Sequence, residues 1–166
     1  MKKIKIYLDT SVINFFYADD VPEFKKVTEE FFAYVKNGQR YDVYISDIVI
    51  NEINKTDNLT KRYKLLSIIE LYKLTKLPNN RDVEISGLAE MYLNKGVIPR
   101  SKIEDALHIA YAVVFEMDLL LSWNFKHLAN IKREREVLLV NMENGYNYPL
   151  RIVTPMEADY EDSYDI

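Results

Sequence analysis

Short apolar segments alternate along the chain with longer segments of helical periodicity, and this alternation restricts the possible folds most. The predicted strands are residues 4–8, 42–45, 118–122 and 151–153. The third strand lies in the sequence DLLLSW, a short apolar run typical of a strand buried on both faces. Strands that alternate with helices favour an α/β fold with a mainly parallel central sheet.

The segments between the strands have helical signals. The first runs from Pro22 to Gly38, with apolar residues at helical spacing: Phe24, Val27, Phe31, Phe32 and Val35. The next three are SDIVINEINK, LTKRYKLLSIIELYKL and RDVEISGLAEMYLNKG. In SKIEDALHIAYAVVFE, Ser101 and Glu104 fit a capping box. Residues 124–145 are predicted to form one or two helices.

Length and charge indicate one globular domain, residues 1–156, with an acidic tail at residues 157–166. The chain has 166 residues and a net charge of −4. The tail holds five acids, which leaves 21 acids against 22 bases in the body, so nucleic acid remains a possible ligand. The chain contains no cysteine, which excludes disulfides and thiolate metal sites. Without a long apolar run or a secretory signal, we expect a cytoplasmic protein that does not enter membranes.

Polar residues follow the ends of the predicted strands, where open α/β sheets bind their ligands. The first strand leads directly into Asp9, Thr10 and Ser11, with neither glycine nor proline to form an ordinary turn. The second leads into a helix that carries Glu52, and the third is followed by Asn124. The helix before the third strand carries Asp105 in or near its first turn.

Each of these acids alone has an ordinary explanation. Asp9 could cap a helix, and Glu52 could face solvent. Asp105 could be favoured near a helix start by the helix dipole. The two histidines, His108 and His127, are expected to be structural or surface residues. Three carboxylates at one sheet edge, however, require either a bound proton or a cation. Oxygen ligands suit Mg²⁺ or Mn²⁺, and such an ion activates water for phosphodiester hydrolysis.

Four segments in order resemble the PIN domain family, and in particular the VapC-like toxins of type II toxin–antitoxin systems. They are IYLDTSVINFFY, YISDIVINEI, EDALHIAYAV and LLLSWNFKHLAN. The ending GYNYPLRIVTP is similar to the closing segment of that family, so the resemblance covers roughly residues 4–155. It implies a PIN-like α/β/α sandwich and a Mg²⁺- or Mn²⁺-dependent endoribonuclease. It also implies single-stranded or structured RNA as substrate, an antitoxin as partner and a homodimer. In the first helical segment, Phe24, Phe31 and Phe32 either face the core or pack against a second copy or an antitoxin.

The resemblance also implies roles for individual residues. Asp9, Glu52 and Asp105 match the metal-binding acids, with Thr10 or Ser11 beside them to bind water. The remaining positions are expected to orient the site or contact RNA: Asn14, Arg100, Lys102, Lys126 and His127. Asn124 stands where the family commonly has a fourth acid, and its amide oxygen could still bind a metal or its water.

Two other classes of function compete with the nuclease. A PIN-like module that binds RNA or protein, with weak or no nuclease activity, is consistent with Asn124 in place of an acid. A phosphotransfer domain of the receiver type would need an acid pair at the first strand end and a lysine after a late strand. The sequence shows neither feature clearly.

Overall fold

The computed structural model describes residues 2–158. Five parallel strands form the central sheet: β1 (Ile4–Leu8), β2 (Tyr41–Ile45), β3 (Thr75–Lys76), β4 (Leu119–Leu121) and β5 (Arg151–Val153). Their spatial order is β3-β2-β1-β4-β5, with β1 at the centre. The parallel α/β class and four of the strands agree with the sequence prediction. Strand β3 was not predicted, because its two residues are exposed and give no apolar pattern.

Seven α-helices lie within residues 2–158 and connect these strands. They are α1 (Thr10–Asn14), α2 (Pro22–Asn37), α3 (Asp47–Asn54), α4 (Leu59–Leu71), α5 (Asp82–Asn94), α6 (Ile103–Val114) and α7 (Ile131–Glu143). Two 3-10 turns, Phe15–Tyr17 and Arg100–Lys102, follow α1 and precede α6. None of the helices in this part of the chain is long and apolar enough to cross a membrane.

The helices cover both faces of the sheet. On one face, α5, α6 and α7 pack on an apolar cluster that includes Tyr7, Leu120 and Ile152. On the other, α1 to α4 pack on a cluster that includes Ile6 and Leu121. Successive strand residues thus alternate between two cores, as the pleat of a strand requires. The arrangement is the predicted α/β/α sandwich.

The predicted capping box before α6 is wrong. Ser101 lies inside the 3-10 turn, where the N–H of Lys102 donates to the carbonyl of Pro99 over 2.9 Å. Lys102 occupies the cap position, and no side chain caps α6. Pro99 sets the backbone for a tight turn, so Ser101 does not adopt the extended conformation that a cap residue needs.

Two open predictions about helices are resolved by packing. The segment 124–145 contains a single helix, α7, because residues before it form turns and Asn130 caps its start through the N–H of Arg133. In α2, Phe31 and Phe32 are completely buried, so they belong to the core and do not form an exposed partner surface.

Residues 159–166 of the predicted acidic tail lie outside the described residues. Within that tail, Ala158 is buried against the cluster under α1 to α4.

Candidate acid site

The register of the parallel strands brings Asp9 beside Ser122. Leu8 of β1 pairs with Leu121 of β4, and the next residue on each strand is Asp9 and Ser122. The N–H of Asp9 continues the ladder by donating to the carbonyl of Leu121 over 3.2 Å. The two side chains therefore meet at the carboxyl edge of the sheet, where the Ser122 hydroxyl donates to Oδ2 of Asp9 over 2.5 Å.

Asp9 is buried, and hydroxyl groups hold both of its carboxylate oxygens. Ser11 donates to Oδ1 over 2.5 Å, and only 3% of Asp9 is exposed. Asp9 stands at the cap position of α1, yet its side chain makes no capping hydrogen bond, so capping does not explain it. Burial raises the pKa of Asp9 and the charge of Glu52 raises it further, against the lowering effect of His108 and the two serines.

Glu52 is bound by a buried histidine. His108 Nε2 lies 2.5 Å and the Thr10 hydroxyl 2.8 Å from Oε1 of Glu52. Burial raises the pKa of Glu52, but the hydrogen bond and charge of His108 and the hydrogen bond from Thr10 outweigh burial, so the pKa is lowered. Burial lowers the pKa of His108, but Glu52 outweighs that and raises it. The two directions agree with an imidazolium–carboxylate pair.

A second buried hydrogen bond fixes the orientation of this histidine. His108 Nδ1 lies 2.7 Å from the hydroxyl of Tyr7, which in turn lies 2.7 Å from the hydroxyl of Ser46. Ser46 caps α3, the helix of Glu52, through the N–H of Ile48. All three partners, Tyr7, Ser46 and His108, are almost completely buried, so a continuous polar chain joins β1, the start of α3, α6 and Glu52.

Asp105 also has a raised pKa. Burial raises its pKa to about 6, helped by the negative charges of Asp9 and Glu52 and opposed by His108 and Lys102. The three predicted acids come from β1, α3 and α6, and each pair contributes to these shifts. The structure thus brings Asp9, Glu52 and Asp105 close enough to perturb one another.

Asn124 presents its amino group to Asp105. The backbone N–H of His127 donates to Asn124 Oδ1 over 3.0 Å, which fixes the orientation of the amide. The amide nitrogen then lies 3.4 Å from Asp105 Oδ2, as a weak hydrogen-bond donor. The amide oxygen that was predicted to bind a metal or its water thus accepts from the backbone of His127, and the amide nitrogen faces Asp105.

An open polar pocket of about 340 Å³ lies over these groups. Its walls include Glu52, Asp105 and Asn124, together with Lys102 and His127 from the predicted RNA-binding set. Burial lowers the pKa of His127, and the positive charges of Lys126, Arg133 and Lys102 lower it further.

The other predicted RNA contacts lie differently. The guanidinium of Arg100 pairs with Glu90 at 2.9 Å and donates to Asn94, both on α5. Asn14 and Lys126 are exposed, Lys126 beside the pocket residue His127 in the chain. Of the predicted lysine and arginine contacts, Lys102 is therefore the one that the structure places in the wall of the pocket, together with His127.

The donors of this site suit a hard divalent cation in kind, since all three acids offer oxygen. In residues 2–158, however, no three acidic or histidine side chains lie close enough together to hold a metal ion. Glu52 uses Oε1 for His108 and Thr10, and Asp9 uses both oxygens for serines. The three acids lie at one edge of the sheet, but the carboxylate oxygens of Asp9 and Oε1 of Glu52 already form hydrogen bonds within the protein.

Three site residues were missed from the sequence. His108 was expected to be structural, although its spacing of three residues from Asp105 puts both on one helix face. Ser122 ends a strand adjacent to β1 and could have been found from the strand register. Lys55, which lines the pocket and pairs with Glu104 at 3.5 Å, follows Glu52 by three residues.

No family model and no curated protein matches this chain. A solved structure to which this chain is similar is the crystal structure of VapBC2 from Rickettsia felis bound to a DNA fragment from their promoter. The match covers 90% of this chain and 98% of the matched chain, with a TM-score of 0.54. The fold is PIN-like. At 15% identity the likeness shows the fold alone, and the chemistry of this PIN-like chain follows from its own residues.

Proposed function

We propose that the protein is a Mg²⁺- or Mn²⁺-dependent endoribonuclease that hydrolyses RNA phosphodiester bonds at the acid site. One observation carries the proposal: Asp9, Glu52 and Asp105 come from three separate elements and meet at the carboxyl edge of the sheet, where the charge of Glu52 raises the pKa of Asp9 and both raise the pKa of Asp105. A scaffold gains nothing from that convergence, because buried like charges destabilise it. A divalent cation would relieve the repulsion.

The chain's own residues supply binding and orientation. Asp9, Glu52 and Asp105 would hold the ion, and a bound ion would supply an activated water and offset negative charge on the phosphoryl group. Ser11 and Ser122 orient Asp9, while Thr10 and His108 orient Glu52. Lys102 and Lys55 place positive charge on the pocket wall, where a phosphate of the RNA would bind.

A role as the toxin of a toxin–antitoxin pair is part of this proposal. Its support is the PIN-like fold shared with VapBC2, a protein pair that the solved structure shows bound to promoter DNA. In that role a cognate antitoxin would cover the acid pocket, and the toxin would form a homodimer in the cytoplasm.

The second candidate is a PIN-like module that binds RNA or protein without cutting. Two observations favour it. Asn124 brings no charge and donates to Asp105, and the acids of residues 2–158 do not form a ligand cluster. Bound RNA would then lie in the pocket on Lys102 and His127 without reaction.

Cleavage of a mixed single-stranded RNA pool separates the two candidates. Wild-type protein should cut the RNA with Mn²⁺ or Mg²⁺, and EDTA should abolish the cutting. Asp9→Asn should reduce cleavage to background at unchanged folding, since it keeps side-chain volume and removes the charge. Asp19→Asn is the matched control, because its side chain is 85% exposed and pairs with Lys25. Folded, metal-loaded wild type that binds RNA without cutting would establish the binding module.

A further inference from the structure

An exposed aromatic residue lies in the chain between Asn124 and His127, two residues that line the acid pocket. Phe125 is 44% exposed, although it follows Asn124 directly and precedes Lys126 and the pocket residue His127. An exposed phenylalanine forgoes part of the stabilisation that burial of its ring would give.

A fixed stack of rings supports Phe125 from below. The indole of Trp123 lies between Phe15, at 5.7 Å between ring centroids, and Phe24, at 4.6 Å, both in stacked orientations. Trp123 Nε1 donates to the hydroxyl of Thr28 over 2.9 Å, which fixes the indole on α2. Phe125 packs at the edge of this stack, 5.8 Å from Phe24 and 6.1 Å from Trp123.

We propose that Phe125 is a stacking platform for one unpaired base of the RNA, next to the phosphate bound in the acid pocket. The proposal rests on the ribonuclease function proposed above and specifies its substrate as single-stranded at that nucleotide. A pre-positioned ring offers a flat apolar face at little entropic cost, and every base can stack on it without sequence preference.

The charges around Phe125 favour a nucleic acid over an apolar protein segment. Lys126 is exposed and follows Phe125 in the chain, Lys102 lies in a pocket wall that also holds Glu52, Glu104 and Asp105, and the neighbouring Asn124 and His127 are polar. An aromatic ring with lysines nearby suits a single RNA strand, in which phosphates can bind the lysines and nucleobases can stack on the ring. A protein partner would instead favour a wider apolar surface around the ring.

Binding of a short single-stranded RNA in EDTA tests the platform without cleavage. Fluorescence anisotropy of a labelled eight-nucleotide RNA gives Kd for wild type and variants. Phe125→Ala and Phe125→Leu should each weaken binding about 5- to 100-fold, the range found for loss of one stacked base. Phe125→Tyr should keep Kd within about twofold of wild type, since its ring stacks as well. Tyr63→Ala removes an exposed ring from α4 and should leave Kd unchanged.

Abasic nucleotides identify the stacked base. Scanning one abasic site along the RNA should reveal one position that weakens wild-type binding about as much as Phe125→Ala does. In Phe125→Ala that same abasic site should cost nothing more. Trp123, the single tryptophan of the chain, should report binding of the intact RNA by a change in fluorescence.

Each contrary result has a distinct meaning. RNA that is cut with metal and bound equally by Phe125→Ala would overturn the platform and leave the nuclease intact. Undiminished RNA binding by Phe125→Leu would show an apolar contact and overturn stacking. A variant that binds RNA normally but loses a protein partner would place Phe125 in a protein interface. Wild type that neither binds nor cuts RNA would overturn the platform together with the proposed function.

Discussion

His108 controls how charge is distributed over the acid site. Its hydrogen bond to Glu52 lowers the pKa of that carboxyl, while burial raises the pKa of Asp9 and takes that of Asp105 to about 6. Of the three acids, Glu52 is therefore the one whose pKa is lowered. Asp9 and Asp105 gain most from an added cation, because ionised carboxylates in a buried site need a positive partner.

The orientation of Asn124 gives a prediction at the residue scale. In Asn124→Asp, a carboxylate oxygen replaces the amide donor 3.4 Å from Asp105 Oδ2. We expect this variant to lose about 1 kcal/mol of unfolding free energy at pH 8 without metal, because a hydrogen bond becomes a repulsion. Urea unfolding with and without Mn²⁺ measures the effect.

Mn²⁺ should reverse the loss in Asn124→Asp, since the new carboxylate adds a charge beside the ion. The variant should therefore show a larger metal-induced stabilisation than wild type. Asn147→Asp, at an exposed position, should show neither effect. Equal stability of Asn124→Asp and wild type in both conditions would place residue 124 outside the influence of Asp105.

At the scale of elements, the local sequence predicts much of the fold. Strand β1 could be predicted, because its apolar residues alternate and end at Asp9. Strand β3 could not, because its two residues are exposed and pair with β2 without an apolar pattern of their own. The hydrogen-bonded chain around His108 could not be predicted from local sequence either, because Tyr7 of β1 and Ser46 before α3 are far from His108 in the sequence. The site acids were predictable from strand ends, whereas their hydrogen-bond partners depend on tertiary contacts.

The cap of α3 connects helix stability to the acid site. Ser46→Ala removes the acceptor for the N–H of Ile48 and the partner of the Tyr7 hydroxyl. We expect a loss of about 1 kcal/mol in stability and a weaker Mn²⁺ affinity, because α3 carries Glu52.

A second cap provides the control for Ser46→Ala. Asn58 caps α4 by accepting from the N–H of Lys61 over 3.0 Å, and α4 carries no site residue. Asn58→Ala should cost a similar stability and leave Mn²⁺ affinity unchanged. Equal metal affinity in both variants, measured by calorimetry, would contradict a link between the α3 cap and the site.

For the whole molecule, the raised pKa values predict lower stability at higher pH. Asp105 has an ordinary pKa of 3.8 and a folded pKa of about 6, so the folded state binds its proton more tightly. Stability from that proton is present at low pH and is lost as the pH rises through about 6. The raised pKa of His108 acts in the same direction, whereas the lowered pKa of Glu52 matters only in more acidic solution.

Unfolding by urea at pH 5 and pH 8 measures this dependence. From Asp105 alone we expect a decrease of about 1 kcal/mol over that interval. Asp105→Asn should lose that part of the decrease, and saturating Mn²⁺ should reduce it in wild type. Stability that rises from pH 5 to pH 8 in wild type would contradict the electrostatics of the site.

The most direct test of the metal-dependent acid site is the binding of Mn²⁺, followed by electron paramagnetic resonance of the free ion at pH 7.5. We expect wild type to bind the ion, and Asp9→Asn, Glu52→Gln and Asp105→Asn each to weaken binding at least about tenfold. Asp19→Asn should bind as wild type does. Absence of binding in wild type, or binding that survives all three substitutions, would contradict the assignment of these acids to one metal site.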